Sequence, residues 1–172
     1  MNVTQKKARA LKMQSRNLEL RNQFWPDINS ETLWVRTQKK GFTTIPRPMP
    51  LILQIMDNLA HKGKPVSQTY LNLWCRVFDE SIIEIRNEQE MAFEAGFTGQ
   101  RAVTTWHSRM KSLVDMGFIN VKTGSAGKYQ YVLILNPYLV IKKFEKVKKI
   151  PEQLSTALFS RAQEIGAGED LK

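Results

Sequence analysis

The sequence predicts a mainly α fold with a small β-hairpin, in the order α-α-β-α-α-β-β over residues 50–137, and extensions at both ends. Three observations carry this expectation. Apolar residues recur at helical spacing, as in Leu51, Ile52, Ile55, Met56 and Leu59. A β-branched run, Ile82-Ile83-Glu84-Ile85, is too short for a helix. Two further strand-like runs flank Gly124-Ser125-Ala126-Gly127, a Gly-rich hairpin connection.

The elements follow in order. Residues 4–23 are helix formers without Gly or Pro, but Leu11, Leu18 and Leu20 give only a thin apolar face. This segment reads equally as a docked helix and as a frayed basic arm. Residues 24–50 hold four of the seven prolines and read as an extended connector, anchored by Phe24, Trp25, Leu33 and Trp34. The helix from Leu51 stops at Lys62-Gly63-Lys64-Pro65, and Ser67 is the expected cap of the next one. In that helix Tyr70, Leu71, Trp74, Cys75 and Phe78 are expected to share the buried face.

Asn87-x-x-Glu90 has the form of a capping box and opens a helix that ends at Gly96. Thr98 is the expected cap of a helix running to Met116. Gly117 then supplies a position tolerant of positive φ before the strand Phe118-Ile119-Asn120-Val121. Tyr129 to Leu135 forms the returning strand, and Asn136-Pro137 ends it. Beyond lie a basic linker (IKKFEKVKK) and a C-terminal helix opened by Pro151 and lined by Leu154, Ala157, Leu158 and Ile165. Gly166-Ala167-Gly168 reads as a mobile tail. The expected organisation is 1–49 basic arm and Pro-rich connector, 50–137 central domain, and 138–172 linker and helix.

Charge is distributed unevenly over the 172 residues, whose net charge is +10. Residues 1–50 carry +7 and 101–150 carry +8, whereas 51–100 carry −3 and the last 22 carry −2. Such an excess suits a polyanionic partner. One cysteine, Cys75, excludes an internal disulfide and is expected in the core. No apolar run is long enough to cross a bilayer, and no secretory pattern follows the N-terminal cations. The expectation is a soluble, cytoplasmic, nucleoid-associated protein with no membrane partner.

The order over 50–137 resembles the winged helix-turn-helix family, with Gly96-Phe97-Thr98 as the turn between its paired helices. On a helix over 98–116, Val103, Trp106, Met110, Leu113 and Val114 form an inward stripe. Gln100, Arg101, Thr104, Thr105, Ser108 and Lys111 fall on or beside the opposite face, which has no carboxylate through Lys111. Short polar groups suit base edges and cations suit phosphates, so this helix is the expected reader of double-stranded DNA. Lys122, Lys128 and Gln130 on the hairpin are expected to add backbone or minor-groove contacts. The three glutamates Glu88, Glu90 and Glu94 of the preceding helix oppose that reading, because its N-terminus would approach phosphate.

Lys128-Tyr129-Gln130-Tyr131-Val132 followed by Leu135-Asn136-Pro137-Tyr138-Leu139-Val140 is similar to the second wing strand and exit of short plasmid replication initiators. That resemblance implies a role in replication or maintenance of a plasmid, phage or similar element, beside transcription regulation. A winged-helix adaptor that binds protein or RNA is the alternative. Homodimers through the C-terminal helix or the N-terminal arm are expected partners. Two separated histidines, His61 and His107, give no metal-ligand spacing, and no phosphate-binding Gly-Lys-Ser/Thr loop occurs. No cofactor and no catalysis are expected. Trp25 and Trp34 could instead stack on single-stranded bases.

Overall fold

A computed structural model describes residues 3–171, which form two compact units divided between Phe42 and Thr43. The first unit is a long helix, α1 (Val3–Phe24), followed by two 3-10 turns, Ser30–Thr32 and Arg36–Gln38. Asn29 caps the first of these by accepting from the Glu31 amide at 2.9 Å. The helix forms as its composition allows, but Leu11, Leu18 and Leu20 are exposed. Of the four expected anchors, Phe24, Trp25 and Trp34 are also exposed, and Leu33 alone is half-buried. The thin apolar face of α1 gives those rings little to pack on, and Phe24 and Trp25 meet each other edge-on at 6.1 Å between ring centroids.

The second unit is mainly helical around a small antiparallel sheet. Its elements are α2 (Met49–Leu59), α3 (Ser67–Arg76), β1 (Ile82–Glu84), α4 (Glu88–Glu94), α5 (Ala102–Met116), β2 (Ile119–Gly124), β3 (Gly127–Ile134), α6 (Pro137–Lys146) and α7 (Glu152–Glu164). The sheet order is β1-β3-β2. Ile83 pairs with Val132, and Val132 in turn with Val121, so β3 is central.

The core is built from the inward faces of these elements. Ile52, Ile55 and Met56 of α2 meet Tyr70 and Leu73 of α3, Met91 of α4, Trp106, Met110 and Leu113 of α5, and Val132 of β3. Leu158 of α7 and Val140 and Ile141 of α6 join the same cluster. The segment read as a basic linker is therefore helical through Lys146. Asn136 caps it by accepting from the Tyr138 amide at 3.0 Å, and Pro137 fits the first turn, where its missing N–H costs nothing. The stripe Val140, Ile141 and Phe144 docks that helix despite its lysines. The tail read as mobile turns back instead: Gly168 is buried and Leu171 packs on the core.

Two other details differ from expectation. Val66, not Ser67, precedes α3, and the Asp57 carboxylate on α2 accepts from the Val66 and Ser67 amides at 2.7 and 2.8 Å. A carboxylate there satisfies orphan donors and favours the positive end of the helix dipole. Because α3 ends at Arg76, Phe78 lies beyond it and is 82% exposed. Cys75, within the helix, falls outside the buried face of Thr69, Tyr70, Asn72 and Leu73 and faces solvent rather than the core. Buried Tyr70 has its phenol pushed well above the ordinary range by desolvation.

Candidate nucleic-acid interface

The candidate surface is built on α5 and the β2–β3 hairpin. Asn87 caps α4 as the sequence suggests, accepting from the Gln89 and Glu90 amides. After α4 the chain turns through Gly96, at φ 84°, and Gly99, at φ 77°. Thr98 does not cap the next helix: α5 begins at Ala102, with Arg101 at the cap position. The positive-φ glycine at 99 interrupts the helical path that the 98–101 segment would otherwise follow. Phe97 from this turn lies under the Arg109 guanidinium, 5.7 Å from ring centroid to carbon, and braces the turn against the helix.

Trp106, Met110 and Leu113 bury the inner face of α5. Trp106 meets Tyr129 of β3 edge-on at 5.5 Å between ring centroids, so hairpin and helix are packed together. At the C-terminus Gly117 adopts the left-handed conformation, φ 81°, and the Phe118 amide donates back to Leu113 at 3.0 Å. The helix passes directly into β2.

On the outer face Thr104, Ser108 and Lys111 are exposed and follow one another at helical spacing. Arg101 and Gln100 are exposed on the turn just before the helix, and Thr105 is half-buried at its flank. Lys122 on β2 and Lys128 on β3 are exposed on the hairpin. Arg101, Lys122 and Lys128 form no ion pair among the described residues. Lys111 is different, because its ammonium contacts Asp115 at 2.6 Å. That carboxylate extends the stripe by one turn and holds the Lys111 pKa above its usual value, chiefly by hydrogen bonding.

Gln130, grouped with the hairpin cations in the sequence, is buried. Its side-chain oxygen accepts from the Ala126 amide at 2.9 Å, and its amide nitrogen donates to the Tyr131 hydroxyl at 3.2 Å. A β-carbon at Gly124 would collide with it. Gln130 therefore holds the hairpin loop from below and presents nothing outward. Strand alternation carried the signal, since Gln130 shares the parity of buried Val132 and Ile134.

The glutamates of α4 are engaged within the chain. Glu90 and Glu94 both take the Arg76 guanidinium, and Glu94 also accepts from Asn72 at 2.7 Å. The Arg76 hydrogen bond, then that from Asn72, holds the Glu94 carboxyl below its usual range. Glu88 Oε2 meets His107 Nε2 at 2.7 Å, so His107 is tied to α4 although its side chain remains 39% exposed. The three carboxylates that oppose a DNA reading are thus each partnered.

Beside the turn lies a depression of about 450 Å³ lined by Gln89, Phe93, Phe97, Gln100 and Val103. Phe93 on its rim is 70% exposed. Among the described residues no three His, Cys, Asp or Glu side chains are placed to share a metal ion, and no helix is long and apolar enough to cross a membrane. Comparisons with protein-family models, with curated proteins and with solved structures find no match to the chain.

Proposed function

We propose that the chain is a winged helix-turn-helix protein that binds double-stranded DNA sequence-specifically, with α5 as reader and the β2–β3 hairpin as wing. One observation carries this reading. An outward stripe of Thr104, Ser108 and Lys111, preceded by Arg101, adjoins a hairpin with two exposed lysines that form no ion pair among the described residues, while the glutamates of α4 are all engaged elsewhere. Small hydroxyl side chains leave base edges accessible in a major groove, and Arg101, Lys122 and Lys128 suit phosphates. The similarity of residues 128–140 to plasmid replication initiators supports a role in replication or maintenance of a mobile element, with transcription regulation beside it. A dimer through α7 would have to use its exposed Phe159, because Leu158 and Ala162 face the chain's own core.

Selection from a random duplex pool tests specificity. The wild-type chain is expected to enrich a defined motif, and Thr104→Ala/Ser108→Ala to relax it while retaining general affinity. An unenriched pool with the wild-type chain contradicts sequence-specific reading.

Exposed Phe93 beside the apolar depression favours a second reading, a winged-helix adaptor that grips a protein there. Loss of partner binding by Phe93→Ala with unchanged duplex affinity would support it.

A further inference from the structure

The unit ending at Phe42 carries aromatic rings that it does not bury. Phe24, Trp25, Trp34 and Phe42 are all exposed, the two tryptophans at 61% and 69%. Large exposed rings in one short stretch mark a contact surface. Cations are interleaved with them: Arg36, Lys39 and Lys40 are exposed, and the Arg36 guanidinium lies 5.3 Å from the centre of the Phe42 ring. Residues 1–42 hold nine Lys/Arg against three Asp/Glu.

We propose that this unit binds single-stranded DNA, with bases stacked on Trp25 and Trp34 and phosphates paired with Arg36, Lys39 and Lys40. Aromatic rings for base faces and cations for the backbone are the two requirements of single-strand binding. A duplex hides its base faces in the stack and cannot use the rings. A second copy of the unit could cover them, but it would set one strongly positive surface against another, whereas a polyanion supplies the opposite charge. The thin aliphatic face of α1, with Leu11 and Leu18 isolated among polar residues, gives such a copy little to grip. The choice of DNA over RNA rests on the duplex-DNA reading of α5; the stacking surface itself does not.

The test is intrinsic fluorescence of the full chain titrated with oligothymidylate, beside a gel shift with random duplex. Trp74 is half-buried and Trp106 buried, so quenching by stacked bases reports on Trp25 and Trp34. Oligothymidylate is expected to quench the emission. Trp25→Ala/Trp34→Ala should weaken oligothymidylate binding about tenfold or more and leave duplex binding unchanged. Arg36→Ala/Lys39→Ala/Lys40→Ala should flatten the single-strand salt slope by about two units. Absent quenching, full affinity in the tryptophan variant, tighter binding of oligouridylate, or a dimer in sedimentation that the tryptophan variant abolishes would each overturn the proposal. Binding of oligothymidylate without binding of duplex would overturn the reading of α5 and leave this surface standing.

Discussion

Glu88 Oε2 lies 2.7 Å from His107 Nε2 and ties the first turn of α4 to the middle of α5. The β2–β3 hairpin meets the same point, since a β-carbon at Gly127 would come within 2.9 Å of Glu88 Oε1. Tyr129 adds a second link by donating its hydroxyl to the His107 carbonyl at 3.3 Å. The orientation of α5 relative to the hairpin is therefore held by a joint of four residues. A double-mutant cycle on Glu88→Ala and His107→Ala, read by urea denaturation at neutral pH, is expected to give a coupling of about 0.5–1 kcal/mol. Additive losses would show that the pair does not hold the joint.

Arg76 links α3 to α4 through Glu90 and Glu94, and its removal has a pH signature. The Glu94 carboxyl titrates below its usual range in the folded chain. A depressed folded pKa contributes stability that is present above the unfolded value, about 4.3, and is lost as pH falls through the folded one. Arg76→Ala should therefore lower the Tm at pH 7, and the gap from wild type should close below about pH 4. A gap that stays constant across that range would contradict the assignment.

Gly124 is required by its neighbour and not by its own backbone angle. Gln130 and the Tyr131 ring occupy the space a β-carbon would need, and the Gln130 amide cannot retreat without forfeiting its bond to Ala126. Gly124→Ala is expected to cost about 1–3 kcal/mol. Gln130→Ala should speed hydrogen exchange of the Ala126 amide. An undisturbed β2–β3 hairpin in both variants would remove Gln130 from this role.

The parts legible in the sequence are the local ones. The inward stripe of Trp106, Met110 and Leu113 follows from spacing alone, Gly117 from the need for positive φ, and the Asn87 cap from a motif four residues long. What was hidden depends on residues distant in the chain. Asp57 caps α3 from another helix, and Glu88 finds His107 nineteen positions away. The lysines of α6 suggested a solvated linker, because the buried side of Val140 and Ile141 exists only where the core receives it. Phe78 continues an apolar pattern past Arg76, where the helix ends, and Cys75 lies on the exposed side of the helix itself. For the candidate surface, Thr104, Ser108, Lys122 and Lys128 are exposed as the helical and hairpin pattern suggests, while Gln130 is buried where β3 turns inward past the exposed Lys128.

The charge of the face can be tested apart from its sequence preference. Lys111 already has Asp115 as partner, so Lys111→Ala should reduce duplex affinity less than removal of Lys122 or Lys128, neither of which is in an ion pair among the described residues. Equal losses at Lys111, Lys122 and Lys128 would show that the Asp115 pair opens on binding.

The most direct measurement is the salt dependence of duplex affinity for the wild-type chain and for Lys122→Ala/Lys128→Ala. Each phosphate contact released contributes about 0.9 to the slope of log affinity against log salt. The double variant is expected to bind all duplexes more weakly, with a slope flatter by about two units. An affinity independent of salt, or a slope unchanged by loss of both lysines, would contradict the account of α5 and its wing as a DNA-binding surface.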